Sequence, residues 1–235
     1  MLSPFVRRLL LPILFLIAAA ASAQTLVTFT FAGTAKSTDA GYTYGDPVNF
    51  TFVLSTAALP PGHSNSPYVD WIRSSSNHPS ASLFSSVTAT GMTGTWNGTD
   101  SSSGVTDDEI VINTSNSPSV LAFQSDADNG NLRLFSPDTH AATFIYIQGQ
   151  WTGLSLVDAS IADPIAYFAA RTGTYNLALG SDSAYVMFSG GATLTYLPST
   201  LTISAMAIPE PATEATFAGL GVLLFAFVRR RRKAG

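Results

Sequence analysis

Near its start the chain alternates between two kinds of residue with a period of two. Val27, Phe29 and Phe31 alternate with Thr28 and Thr30, and Val48, Phe50, Phe52 and Leu54 alternate with Asn49 and Thr51. Only an extended strand puts positions i, i+2 and i+4 on one side, so each stretch has one apolar face to bury and one polar face for water. Sliding either strand by one residue would turn every ring to solvent, which pins the register. The turn-rich stretch 39–47 between them predicts a β-hairpin, or neighbouring strands, with the phenylalanines inward.

The same reading places further strands at 85–89, 94–97, 109–113, 120–124, 131–135, 142–148, 151–157, 174–179, 185–188 and 192–204. Asn129-Gly130 has the form of a two-residue turn that would join 120–124 to 131–135. Many short strands with frequent Gly, Asn, Asp and Pro breaks predict an all-β fold, an antiparallel sandwich or jelly roll. One helix is expected, with Asp163 as its cap, Pro164 at its first position and Arg171 at its far end. Its run 165–170 would serve a buried strand about as well. Segment 57–82 holds Pro60, Pro61, Pro67 and Pro79 and reads as a long surface loop. With no cysteine in the chain there is no disulfide framework and no lipid-anchor thiol. Stability must come from burial, for which residues 24–208 are long enough as one domain or two small ones.

Both termini read as export machinery. Arg7 and Arg8 precede the apolar run 9–21, and Ala21-Ser22-Ala23 has the A-x-A form of a signal-peptidase site. Residues 1–23 therefore read as a signal peptide, with Gln24 first in the mature chain. At the other end Pro209-Glu210-Pro211 is followed by the mostly apolar residues 215–228 and then by Arg229, Arg230, Arg231, Arg232 and Lys233. As a transmembrane helix, 215–228 would be about 21 Å long, two-thirds of a bilayer's hydrocarbon thickness. Snorkelling arginines and slight bilayer thinning make up the difference. The cationic end is held in the cytoplasm by the positive-inside rule, and the prolines keep the outer segment extended.

In this order of tripeptide, short span and basic end, residues 209–235 resemble the PEP-CTERM sorting domain. That is the tail by which some bacteria mark exported proteins for a membrane protease called an exosortase. The resemblance implies transient anchoring in the inner membrane, cutting near the tripeptide, delivery to the cell surface or beyond, and an association with exopolysaccharide. It covers the tail alone. Leu197-Pro198-Ser199-Thr200 matches the start of a sortase site, but Leu201 replaces the glycine, and the stretch reads as a strand end.

Residues 24–208 hold four basic residues (Lys36, Arg73, Arg133 and Arg171) against thirteen acidic ones, a formal charge of −9. Phosphate binding needs a basic surface, so nucleic acid is excluded as a natural partner. Tyr68, Asp70 and Trp71 set two aromatic rings beside a carboxylate, a pattern that suits stacking on a sugar and accepting its hydroxyl hydrogens. The plainer role for Trp71 is to plug the edge of the core. Asp126 and Asp128, before Asn129-Gly130, are similar to the start of a calcium loop. They depart from the EF-hand at the turn glycine and at the twelfth position, where Pro137 stands. A hairpin turn explains them equally well, and no other cofactor is expected. His63, His78 and His140 form no metal-ligand pair and no G-x-S-x-G elbow occurs, so no catalytic residue is assigned. The expected protein is an exported, non-enzymatic surface or matrix protein. A carbohydrate-binding module is the alternative, and a secreted hydrolase a third class.

The signal-peptide reading predicts a mature N-terminus at Gln24. N-terminal sequencing of the exported protein should begin there, and a chain that starts at Met1 would contradict it.

Overall fold

The computed structural model describes residues 24–36, 41–54, 64–66, 69–73, 83–93, 109–114, 119–126, 133–134, 141–156, 161, 163–178 and 183–208. Residues Leu26–Met206 form one compact unit. In chain order the strands are β1 (Gln24–Ala35), β2 (Pro47–Leu54), β3 (Ser64–Ser66), β4 (Val69–Arg73), β5 (Phe84–Ala89), β6 (Met92–Thr93) and β7 (Glu109–Asn113). There follow β8 (Val120–Asp126), β9 (Arg133–Leu134), β10 (Ala142–Thr152), β11 (Gly173–Leu177), β12 (Ser183–Phe188) and β13 (Thr193–Ile208). A single short helix, α1 (Pro164–Ala169), lies between β10 and β11 among the described residues. The described chain is thus mostly β-strand.

The opening hairpin forms as the alternation requires. β1 and β2 pair antiparallel with Phe29 opposite Phe52 and Phe31 opposite Phe50, and all four rings are fully buried. β5 adds to the far edge of β2, and β13 lies along the other edge of β1. A second run of strands continues in the order β4, β7, β8, β10, each antiparallel to the next, with β3 outside β4. Two strands join the runs by changing partners along their length. β10 pairs with β12 over Ala142–Gln148 and with β11 at Trp151 and Thr152. β13 pairs with β12 at Thr193–Thr195 and with β11 at Thr200–Ile203.

The core lies where the two runs face each other. Phe123 of β8 is at its centre, with ring centroids 4.8 Å from Phe29, 4.9 Å from Phe31, 5.4 Å from Phe52 and 6.0 Å from Phe84. Phe168 of α1 packs edge-on against Phe29 at 4.8 Å, so the helix closes one side of the cluster. α1 forms for local reasons. The Asp163 carboxylate accepts the Ala166 N–H at 3.0 Å and Pro164 supplies the first turn's fixed φ. Arg171 then donates to the Tyr167 carbonyl at 2.6 Å and lies over the Tyr167 ring.

Two glycines are required by close approach. A Cβ on Gly149 would lie 2.6 Å from the Trp151 indole, which folds back over it within β10. A Cβ on Gly33 would meet the backbone of Leu197 and Pro198, at 2.8 Å from both the Leu197 carbonyl carbon and the Pro198 Cα. At that place the buried positions of β13 step from Leu194, Tyr196 and Pro198 to Leu201 and Ile203, a change of phase with one extra residue. Segment 197–200 is therefore the interior of a long strand and its point of partner exchange, not a strand end.

Three further expectations are corrected. The hairpin between 120–124 and 131–135 does not form, because both edges of β8 are taken by β7 and β10, while β9 pairs with β6. In place of separate strands at 142–148 and 151–157 there is one strand, β10, which runs on to Thr152 because Trp151 fills the gap that Gly149 leaves, and 153–156 belong to no strand. Segment 57–82 is not all loop: β3 and β4 form an antiparallel pair within it, joined to the sheet through β7. The strand expected at 94–97 lies outside the described residues.

Phe123→Ala should remove the shared contact of four rings and cost about 3–5 kcal/mol in urea unfolding. Gly33→Ala meets backbone rather than a movable side-chain tip and should cost about 1–3 kcal/mol or more. Wild-type stability in either variant would overturn the corresponding packing.

Candidate functional site

Strands β7, β8, β10, β12 and β13 form a sheet with one face on the core. Ile110, Phe123, Ile147 and Ala184 follow one another in register on that face and are buried. The neighbouring row points the other way: Glu109 opposite Gln124, Gln124 opposite Tyr146, Tyr146 opposite Tyr185, Tyr185 opposite Thr195, and on its other side Glu109 stands opposite Arg73 of β4 in register. Directly paired residues share a face, so these side chains form one continuous band. Four inter-strand spacings make it about 19 Å long.

Two rings of this band, and Phe144 from the next row of the same face, are close and tilted to one another. Tyr185 has its centroid 5.5 Å from Tyr146 at 36° and 5.7 Å from Phe144 at 32°. All three are half-buried, with part of each ring open to solvent. The Tyr146 hydroxyl donates to Gln148 Oε1. Glu109 is the one charged residue that is buried among the described residues. Burial, then the Tyr185 hydroxyl and the Glu109 carboxylate, push the Tyr146 pKa above the ordinary tyrosine value. Such a band offers flat apolar ring faces with donors and acceptors beside them.

The residues singled out from sequence fall elsewhere. Asp70 and Trp71 are in β4, opposite Ile112 and Val111 in register, and Tyr68 lies outside the described residues. Asp126 ends β8 opposite Phe144, and Asp128 lies outside the described residues. Among the described residues no group of three His, Cys, Asp or Glu is placed to hold a metal ion. Gln24 is the first residue of β1. Ala21, Ala23, Pro209, Glu210, Pro211, the cluster Arg229 to Lys233 and all three histidines lie outside the described residues. Among the described residues no helix is long and apolar enough to cross a membrane.

Phe144, Tyr146 and Tyr185 were not singled out as site residues from sequence. In β10 the run Phe144-Ile145-Tyr146-Ile147 is continuously apolar and reads as fully buried. Its signal was the pair Gln148 and Gln150, which continue the even-numbered face and mark it as the outer one. No family model, curated protein or solved structure matches the chain.

Alkaline titration tests the band's electrostatics. Subtracting the tyrosinate absorbance curve of Tyr146→Phe from that of the wild type should give a midpoint above the ordinary tyrosine range, and Glu109→Gln should lower it. The neutral phenol is favoured in the folded state, so its stabilising contribution is intact below the ordinary tyrosine pKa. It is lost as pH rises through the folded value. A midpoint indifferent to Glu109→Gln would separate the two groups.

Proposed function

We propose that the chain is an exported, exosortase-sorted cell-surface or extracellular-matrix protein, non-enzymatic and associated with the exopolysaccharide layer. Its exported part, residues 24–208, is an antiparallel β-sandwich of jelly-roll type, and residues 215–228 are a transient transmembrane helix. One observation carries the sorting reading: Pro209-Glu210-Pro211, a short apolar span and the cluster Arg229 to Lys233 follow one another at the C-terminal end. The signal-like N-terminus supports it independently. The sandwich reading is supported by the rings of β1, β2 and β5 that meet Phe123 of β8.

Signal peptidase removes residues 1–23 and the span holds the chain in the inner membrane with its basic end inside. An exosortase then cuts near the tripeptide. Insertion depends on apolar length and positive charge, which Glu210→Ala leaves intact. The variant should therefore insert normally and accumulate in the membrane at uncleaved length. Neutral residues in place of Arg229 to Lys233 should disturb orientation before any processing. Intact-mass measurement of surface and membrane fractions checks both, and a wild-type surface form that still carries residues 229–235 would overturn the sorting reading.

A further inference from the structure

We propose that the outer band centred on Tyr146 and Tyr185 binds a neutral polysaccharide chain, laid across β10 and β12. This goes beyond the sorting reading and does not depend on it. The three rings of Phe144, Tyr146 and Tyr185 are neighbours within 5.7 Å on one sheet face, tilted by 32° and 36° within the two pairs. Each presents an apolar surface of the size of one sugar ring. The apolar C–H face of a sugar stacks on such a surface, as flat nucleobases do on aromatic side chains.

What surrounds the rings selects among flat ligands. Gln124 and Gln148 flank Tyr146, Thr195 faces Tyr185, and Glu109 stands between Gln124 and Arg73 in register. Amides and phenols both donate and accept, which matches hydroxyl groups that also do both. The row's two charged residues, Glu109 and Arg73, are of opposite sign and stand opposite each other in register, and the exported part carries a formal charge of −9. A phosphate, a uronate polymer or an anionic membrane would meet the repulsion of that net charge, with Arg73 already opposite a carboxylate in register. A second copy of the chain would bring a like-charged surface against it. A neutral polyhydroxylated chain meets none of these penalties, and a band about 19 Å long accommodates several of its sugar units.

The test uses the full chain in a polyoxyethylene detergent, whose headgroup carries no sugar to compete. It is run in native gels cast with hydroxyethyl cellulose, mixed-linkage β-glucan or galactomannan, with polygalacturonate as the anionic control. At least one neutral polymer should retard the protein and polygalacturonate should not. Tyr146→Ala and Tyr185→Ala should each weaken retardation about tenfold, the loss of one stacking contact. Tyr146→Phe and Gln124→Ala keep the rings and should give smaller losses, which keeps the test decisive if an alanine variant melts early. The proposal is overturned if none of the three neutral polymers retards the wild type, or if the ring variants keep full retardation with unchanged melting. It is also overturned if sedimentation finds a wild-type dimer that Tyr185→Ala dissociates, since the band would then be filled by a second copy.

Discussion

The contact of Phe123 with Phe29, Phe31, Phe52 and Phe84 is the interaction on which the rest of the described structure depends. With no cysteine to cross-link the chain, burial has to offset the entropy of ordering it. Each buried ring contributes about 1.5–3 kcal/mol by transfer from water. Edge-to-face pairs add about 0.5–1.5 kcal/mol beyond that. The five rings come from four strands widely separated in sequence, so no pair of neighbouring strands can assemble the cluster alone. The core is completed only when β8 has met the β1–β2 hairpin. That makes folding cooperative and places this chain among topologies that fold slowly for their size.

A cluster shared by two runs of strands needs a frame that brings them face to face. β10 and β13 provide it, each passing from β12 to β11 along its length. Both contain a device at or near the exchange that a uniform strand would not tolerate. In β10, Gly149 makes room for the Trp151 indole, which is also 5.6 Å from Phe31 and so ties the strand's end to the core. In β13 the extra residue between Pro198 and Leu201 re-aims the inward side chains, and Gly33 of β1 lets that distortion press close. A bulge increases local twist, which is how one strand can serve two differently oriented neighbours.

Much of this was legible in the sequence, and the boundary between what was and what was not has a physical location. The β1–β2 pair was legible because its information is local: two alternating stretches, each with one choice of face. α1 was legible in part, through Asp163 and Pro164, although its run 165–170 read equally well as a buried strand. Strand partnership was not. Asn129-Gly130 is a sound hairpin signal, yet β8 spends both its edges on β7 and β10, a competition that no local pattern records. The outer band was hidden for a related reason. Phe144, Ile145, Tyr146 and Ile147 are all apolar or aromatic, so which of them face the core is decided by the register with Phe123 and Val186. The tail reading is of another kind, since its order of segments is the whole of its argument, and it falls on residues outside the described ones.

The even-numbered face of β10 carries more aromatic area than a solvent face requires, and it does so next to a carboxylate that the fold has largely removed from water. Glu109 is 8% exposed, set in register between Arg73 of β4 and Gln124 of β8. Desolvating a carboxylate is costly unless its oxygens are engaged, and the register sets Arg73 opposite this one. A requirement for solubility alone would leave this position exposed and place charges where the rings are. Rings held half-open, with amides on either side and the Tyr146 hydroxyl held by Gln148, instead make a surface with polar atoms fixed in place before anything binds. Fixed polar atoms lose little further entropy on binding, so a polymer that offers many weak hydroxyl contacts gains most from such a surface.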